Sequence, residues 1–403
     1  INVAGRIGTT GGAMTVTGGS YSSDPTVTSD NSIGTLATIE GYEIGENNGV
    51  FSVGEKTYPV QIGETKYETL ADAIAAVPSD GTKTTVVVLA DCAITGTGVT
   101  VAAGQNVVLD LNGCTVTMNT DIAATSQAIR NNGTLEITDT SANADGALIY
   151  CSSAPSASFG YSTTAIINYG TLTLTAGTVK NTTVGGASYG IDTYDGTVTV
   201  NGGKVECNAT AIRVAMFNSG APVLTVNGGT IVGGGYGVQL FECSKNASGA
   251  VTVNGGSVDG ATLAFYAYSA NNYGDKMNVT VTGGTFGNDV GFTGAMTADH
   301  ITVSGGNFKN IYSYGDADGF VTGGTFDLSG NAYWGYLTAD QFADYDAPWN
   351  DMAYWTEQGY ILEWSDVYQD YEIYYPAIWD AETLPLAEGF VLTDNGDGTY
   401  TYW

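Results

Sequence analysis

The sequence predicts an all-β protein built as a three-faced parallel β-solenoid, and three observations support this. The segment Thr197-Val-Thr-Val-Asn-Gly-Gly203 recurs along the chain at intervals of 18 to 28 residues. Within each copy, apolar residues alternate with polar ones at the period of a β-strand. The closing Gly pair permits a tight corner. A repeat of this length is typical of a solenoid, in which each coil buries its apolar side against the next coil.

The repeat also predicts which side chains point inward. The apolar positions form a column that should face the core, and its members are Leu174, Val200, Val226, Val253, Val281 and Val303. The alternating positions form a column that should face outward, and its members are Thr173, Thr199, Thr225, Thr252, Thr280 and Thr302. Successive strand residues point to opposite faces, so the two columns cannot share one side.

The chain divides into three predicted regions. Residues 1–53 resemble the end of a module, with one coil and then a β-hairpin around Asn-Gly within residues 41–53. Residues 54–326 should form the parallel β-helix. A short helix near residues 69–77 should begin at the N-cap Thr69, because an apolar stripe follows it and Pro78 ends it.

The third region, residues 327–403, is aromatic and acidic and ends in a second predicted hairpin. All six tryptophans of the chain lie here. The end of a solenoid exposes strand edges and core side chains that must be covered, so this region is predicted to be a cap or an interface. The interface candidates from both chain ends are Met14, Val16, Tyr333, Trp334, Trp349, Tyr354, Trp355, Trp364, Tyr374, Tyr375 and Trp379.

One stretch resembles a known family. The run from Tyr58 to Ile74, followed by Val86-Val-Val-Leu-Ala-Asp91 and Val108-Leu-Asp-Leu-Asn-Gly113, is similar to the opening of pectate-lyase-like β-helix modules. Such modules occur in large surface proteins of Gram-positive, often gut-dwelling bacteria. The resemblance extends over nearly all of residues 58–403. It implies a right-handed parallel β-helix, a helix near Leu70 that caps the first coil, and an extracellular location at the bacterial cell surface.

The charge balance argues against several partners. The chain has 41 acidic and 11 basic residues, a net charge of −30. Nucleic acids and anionic membrane surfaces would be repelled. The sequence has no run of about 18 apolar residues, so membrane insertion is not expected.

The five cysteines lack the spacing of a zinc or redox motif. Cys92 and Cys114 are about one coil apart, which leaves a disulfide open as an alternative to the favoured buried free thiols.

Catalytic and metal sites are not predicted. Asn119-Thr120-Asp121 matches one short element of the polygalacturonase pattern, but no partner carboxylate is marked for the pair that hydrolysis requires. His300 stands alone beside a strand. The basic residues that a uronate lyase would need lie at different coil positions. Calcium is the one metal to consider, at Asp394-Asn-Gly-Asp397, but an ordinary hairpin turn explains that segment better. No cofactor is expected.

The sequence therefore predicts a non-enzymatic extracellular structural or adhesive protein, a subunit of a surface array or of a head-to-tail filament. In a filament, the N-terminal coil of one copy would pack against the end of another; the alternative is an upstream module that covers residues 1–22. The alternative function is a β-helix protein that binds or cleaves glycans. A groove with two or more carboxylates and aromatic platforms would favour that alternative.

Overall fold

The computed structural model describes residues 14–16, 18–21, 36–38, 41–121, 125–155, 162–270, 273–293, 296–309, 311–313, 319–327, 332–337, 361–365, 370–378, 392–396 and 399–402. These residues are mostly β-strand, with one short α-helix and two 3₁₀ turns. The predicted all-β parallel β-helix is confirmed. The chain divides into two units, residues 1–59 and 60–403. Among the described residues, no helix has the length and apolar character needed to cross a bilayer.

The first unit contains a parallel strand pair and a three-stranded antiparallel sheet. Its strands are β1 (Met14–Val16), β2 (Gly19–Tyr21), β3 (Leu36–Thr38), β4 (Tyr42–Asn47) and β5 (Val50–Glu55). β1 pairs with β3, and β5 pairs with both β2 and β4. The β4–β5 turn has positive φ at Asn48 (51°) and Gly49 (76°), as a two-residue hairpin turn requires. The hairpin predicted within residues 41–53 is confirmed.

The second unit opens with a strand hairpin and the helix. These elements are β6 (Val60–Ile62), β7 (Thr65–Tyr67), α1 (Leu70–Ala75), β8 (Lys83–Val88) and β9 (Cys92–Ala93). The Thr69 hydroxyl accepts a hydrogen bond from the Asp72 backbone N–H at 3.0 Å, which confirms the predicted N-cap. At the other end of α1, the Gln105 amide donates to the carbonyls of Ile74 and Val77, both at 2.8 Å. Gln105 thus adds side-chain hydrogen bonds to two carbonyls at the C-terminal end of the helix.

After β8 and β9, the described residues of the first half of the β-helix form twelve further strands. They are β10 (Val99–Val101), β11 (Asn106–Asp110), β12 (Thr115–Thr120), β13 (Ser126–Asn131), β14 (Thr134–Thr138), β15 (Ala147–Ser152), β16 (Thr163–Asn168), β17 (Thr171–Leu174), β18 (Thr178–Asn181), β19 (Ser188–Thr193), β20 (Thr197–Val200) and β21 (Lys204–Cys207).

The second half continues in the same order, with the 3₁₀ turns Gly274–Lys276 and Ala298–His300 between strands. Its strands are β22 (Thr210–Met216), β23 (Val223–Val226), β24 (Thr230–Gly233), β25 (Tyr236–Glu242), β26 (Gly249–Val253), β27 (Ser257–Gly260), β28 (Leu263–Ser269), β29 (Met277–Phe286), β30 (Val290–Thr293), β31 (Ile301–Phe308), β32 (Ile311–Ser313) and β33 (Val321–Asp327).

Each coil contributes three strands, and each strand pairs in parallel with its counterpart one coil later. The first and second strands of the coils belong to one bent sheet. In the later coils, the first and second strands are joined into one long strand, as in β29 and β31. The third strands form a separate sheet in the order β10-β13-β16-β19-β22-β25-β28-β30-β32, which we call the third face.

The predicted columns lie where the sequence places them. The inward column from Leu174 to Val303 has an exposed fraction of 1% or less at every member. The threonine column from Thr173 to Thr280 is partly exposed, and its last member, Thr302, is exposed. Neighbours in each column pair directly, as Val200 does with Val226 and Thr199 with Thr225.

Both glycines of the corner are required, for different reasons. Gly229 has φ = 80°, a conformation that residues with a side chain rarely adopt. A Cβ atom at Gly228 would lie 2.6 Å from the carbonyl oxygen of Asn201 on the preceding coil. The Gly pair thus provides both the turn and the close approach of two coils.

Antiparallel strands lie at both ends of the bent sheet in the second unit. At its start, β6 pairs with β8 and with β7.

The last described strands of the chain are β34 (Ala332–Leu337), β35 (Ile361–Ser365), β36 (Asp370–Ile378), β37 (Leu392–Asp394) and β38 (Thr399–Tyr402). β38 pairs with β33 and with β37, so the terminal hairpin is confirmed and covers the final β-helix strand. The predicted boundary after residue 326 falls inside β33.

The inward column gives a direct test of the coil register. Replacing Val226, which is fully buried, by Asp places an unpaired charge in the stack and should destabilise the protein by several kcal/mol. Thr225→Asp, on the outward side of the same strand, is the matched control and should change stability little. Thermal unfolding followed by circular dichroism measures both; similar melting temperatures for the two variants would contradict the register.

Candidate functional site

Aromatic side chains line the outer side of the third face on five successive coils. They lie in or directly after the strands β16, β19, β22, β25 and β28. We call this set the aromatic strip, and its members are Tyr169, Tyr194, Phe217, Tyr236, Phe241, Tyr266 and Tyr268.

The rings of the aromatic strip form one continuous set of contacts. Successive ring centroids lie 5.5 to 6.1 Å apart in the order Tyr169, Tyr194, Phe217, Phe241 and Tyr268. Tyr266 extends the strip sideways, 5.6 Å from Tyr268, and Tyr236 lies 5.2 Å from Tyr266. In four of the six contacts the ring planes are nearly parallel, with angles of 13° to 19° between them.

The strip is accessible to solvent along its length. Tyr169 is 37% exposed, and the other six rings are partly exposed. Each ring pair contributes about 0.5–1.5 kcal/mol beyond the area that it buries, so the strip also holds neighbouring coils together. Because neighbouring rings stack on one another, a ligand would meet their exposed edges and phenol hydroxyls.

A buried polar ladder fixes the backbone that carries the first two rings. The Asn131 amide donates to the Asn168 side-chain oxygen at 2.7 Å, and the Asn168 amide donates to the Thr193 hydroxyl at 3.1 Å. All three side chains are fully buried. Asn168 directly precedes Tyr169, and Thr193 directly precedes Tyr194. Satisfied buried networks rigidify their surroundings, so the two rings project from a defined backbone.

An ion pair lies beneath the strip. Asp192 and Arg213 pair across β19 and β22, and two parallel hydrogen bonds of 2.9 and 2.7 Å join the carboxylate to the guanidinium. Arg213 also donates to the hydroxyls of Tyr189 at 2.6 Å and Tyr194 at 3.0 Å. Its Cζ lies 3.7 Å from the Tyr189 ring centroid. Asp192 is fully buried and Arg213 is 9% exposed. Arg213 thereby positions Tyr194 within the strip.

The same environment sets the protonation of these groups. Burial disfavours the charge of Arg213, but the Asp192 carboxylate and the two tyrosine hydroxyls outweigh it and raise the Arg213 pKa. Burial, reinforced by the Asp192 charge, raises the pKa of Tyr194 above its ordinary value. Burial likewise raises the pKa of Tyr189. Arg213 therefore stays charged, and both phenols stay neutral.

The carboxylates of Asp192 and Glu242, which lie beside the strip, are enclosed. Both oxygens of Asp192 accept hydrogen bonds from Arg213. Glu242, at the end of β25, is fully buried and accepts a hydrogen bond from the Ser269 hydroxyl at 2.8 Å. Neither carboxylate is presented to a ligand.

The Asn119-Thr120-Asp121 segment lies away from the aromatic strip. With Cys151 and Ser153 it lines an open depression of about 390 Å³ at the end of the second strands β12 and β15. The segment brings one carboxylate to that depression.

The other polar candidates are dispersed. His300 is partly exposed, and its Nδ1 lies 3.0 Å from the Asn278 side-chain oxygen. Lys180 and Lys204 both pair with Glu206, at 2.7 and 2.6 Å, on the second strands. These basic residues and Arg213 do not converge on one site.

The described part of the calcium candidate, residues 394–396, belongs to the terminal hairpin. The Asn395 backbone N–H donates to the Thr399 carbonyl at 2.9 Å, and its side-chain amide donates to the hydroxyls of Thr399 and Thr401. Asp397 lies outside the described residues. Among the residues that the structure describes, no group of three or more His, Cys, Asp or Glu side chains is placed to hold a metal ion.

All five cysteines are free thiols. The register sets Cys92 opposite Val116, so Cys114 is two residues out of line with Cys92. Burial, reinforced by the nearby Cys114, raises the pKa of Cys92 to about 11.

The structure describes seven of the eleven predicted interface residues, in two groups. Met14 and Val16 lie in β1. The strands β34, β35 and β36 form one antiparallel sheet that contains five of the candidates, Tyr333, Trp334, Trp364, Tyr374 and Tyr375. The remaining four candidates lie outside the described residues, and they are Trp349, Tyr354, Trp355 and Trp379. Their role as an interface stays a prediction.

Sequence reasoning missed the aromatic strip, although a signal was present. An aromatic residue recurs once per coil at the end of the third strand, from Tyr169 to Phe217. The third strands do not share the Val-Thr-Val motif of the first strands, so their alignment was not evident.

Comparison with known proteins identifies no family for this chain. No protein-family model matches the chain, and no match was found among curated proteins or solved structures.

The ion pair beneath the strip gives a stability prediction. Arg213→Met leaves Asp192 buried without its partner and should cost about 3–5 kcal/mol. The double variant Asp192→Leu/Arg213→Met removes both charges and should recover much of that loss. Urea unfolding of the parent and both variants measures the difference. A single variant as stable as the parent, or a double variant no more stable than the single, would contradict the assignment.

Proposed function

We propose that this protein is an extracellular adhesive β-helix protein that binds polysaccharide chains along the aromatic strip. The observation that supports this best is the continuity of the strip, in which seven contacting, solvent-accessible rings cross five coils. Aromatic residues that only cap a solenoid end, or that are scattered over a surface, would not form a continuous row of contacting rings across five coils.

The chemistry of the strip suits sugars. A pyranose presents C–H groups that pack on apolar ring surface and hydroxyls that exchange hydrogen bonds with polar groups. Tyrosine combines an apolar body with a polar end, and five of the seven rings are tyrosines. An array of such rings fits a ligand with alternating apolar and polar surface better than it fits a purely apolar one.

Binding is favoured over cleavage at this surface. Glycoside hydrolysis requires two carboxyl groups on either side of the scissile bond. Asp192 and Glu242, two carboxylates next to the strip, are fully buried and hydrogen-bonded within the protein. A third carboxylate, on the exposed Asp195 beside Tyr194, accepts hydrogen bonds from the backbone N–H groups of Gly196 and Ala221. The proposal is therefore a non-enzymatic role.

The proposed location is the bacterial cell surface, because the modules that residues 58–403 resemble occur in surface proteins. Head-to-tail association through Met14, Val16 and the C-terminal aromatic region stays a prediction. We give it second place, because β38 already pairs with the last β-helix strand, β33, and α1 and β6 lie at the first coil.

The proposal is tested by removing two rings of the strip. The double variant Tyr169→Ala/Tyr266→Ala should bind polysaccharide roughly tenfold more weakly, a loss of about 1.4 kcal/mol, because two apolar contacts are lost. Affinity electrophoresis against a panel of soluble neutral and acidic polysaccharides gives the measurement.

Tyr42→Ala is the matched control, since Tyr42 is a partly exposed tyrosine in β4 of the first unit. It should bind like the parent. Circular dichroism verifies that each variant is folded. Unchanged binding by the folded double variant, or a parent that binds no polysaccharide in the panel, would refute the proposal.

A further inference from the structure

We infer that the strip accepts an extended, uncharged polysaccharide whose chain runs along the solenoid axis. This inference rests on the proposed function and specifies the ligand of the same surface. Three features of the third face support it: its charge, its polar groups and its direction.

The ion pair beneath the middle of the strip carries no net charge. The one formal positive charge beneath it, on Arg213, is cancelled by Asp192 in a pair with N···O distances of 2.9 and 2.7 Å. One coil after Arg213, the residue paired with it is Gln239, a neutral amide. On the following coil, the residue paired with Gln239 is Tyr266. Tyr194 stays neutral, because burial raises its pKa. A polyanion would thus find the Arg213 charge already paired.

Another cation, Arg130, lies at one end of the strip. The Arg130 Cζ is 4.5 Å from the centroid of the Tyr169 ring. A single guanidinium at the end cannot pair with a carboxylate on every residue of a uronate chain. The chain as a whole has a net charge of −30, which repels polyanions at long range.

The polar groups on the strip match hydroxyls. The partly exposed Gln239 side chain offers two N–H donors and one acceptor oxygen. The phenol groups both donate and accept. Neutral donors and acceptors of this kind recognise sugar hydroxyls, whereas repeated carboxylates call for Arg or Lys.

The direction of the strip follows from the coil register. Its rings step from β16 to β19, β22, β25 and β28, so the strip crosses the strands and follows the solenoid axis. Parallel strands are spaced about 4.8 Å apart, a rise close to the advance per residue of an extended β-linked pyranose chain. Successive sugars can therefore meet equivalent positions on successive coils.

The test is isothermal titration calorimetry with two matched series of oligosaccharides, from disaccharide to hexasaccharide. One series is neutral, the β-1,4-linked gluco-oligosaccharides, and the other is acidic, the oligogalacturonides. Each is titrated into the full chain at low and at physiological salt. Affinity for the neutral series should rise about tenfold or more from disaccharide to hexasaccharide and should not depend on salt. The acidic hexasaccharide should bind at least about tenfold more weakly than the neutral one.

Variants of Gln239 separate charge from contact. Gln239→Ala should weaken binding of the neutral hexasaccharide about fivefold, since an amide contact is lost. Gln239→Lys should favour the acidic series by adding a cation in the middle of the strip. Tyr42→Ala again serves as the control and should change neither series.

The outcomes distinguish the two proposals. Tighter, salt-sensitive binding of oligogalacturonides would overturn the uncharged ligand and leave polysaccharide binding in place. Affinity that does not change with chain length would overturn the axial arrangement. If neither oligosaccharide series binds, and no polysaccharide in the panel binds, the proposed function itself is refuted.

Discussion

In-register parallel pairing is the constraint on which the rest of this structure depends. Each strand hydrogen-bonds to its counterpart one coil later, so a residue type repeated once per coil becomes a column in space. Val200 lies beside Val226, and Thr199 beside Thr225, by the same pairing. The Gly pair makes this stacking feasible. The backbone of one coil occupies the space that a Cβ atom at the corner of the next coil would need.

The same constraint produces different chemistry on different faces. Inside, columns of Val, Leu and Ile exclude water, while Asn131 and Asn168 form a buried amide ladder at a corner. Outside, on the third face, the register sets Asp192 beside Arg213 and brings aromatic rings into one line. Neither the ion pair nor the strip is local in sequence; both exist because coils of slightly different length still return each third strand to register.

Much of the fold was predictable, because local patterns determine it. The Val-Thr alternation predicted the first strands, Asn48-Gly49 predicted a hairpin, and Thr69 predicted a helix start. The strip was not predicted. Third strands such as Ser188–Thr193 and Thr210–Met216 share no obvious motif, and the loops before them vary in length. Their alignment, and hence the Asp192–Arg213 pair, depends on long-range pairing that a single sequence does not specify.

A crystal structure of the chain with a bound neutral hexasaccharide would test the central claim most directly. The claim is that coil register assembles a linear binding surface on the third face. Our account predicts sugar density along the strip from Tyr169 to Tyr268, parallel to the solenoid axis, with Asp192 and Arg213 paired beneath it. Sugar bound at another face, across the coils' strand direction, or over rings that are not aligned from coil to coil would contradict it.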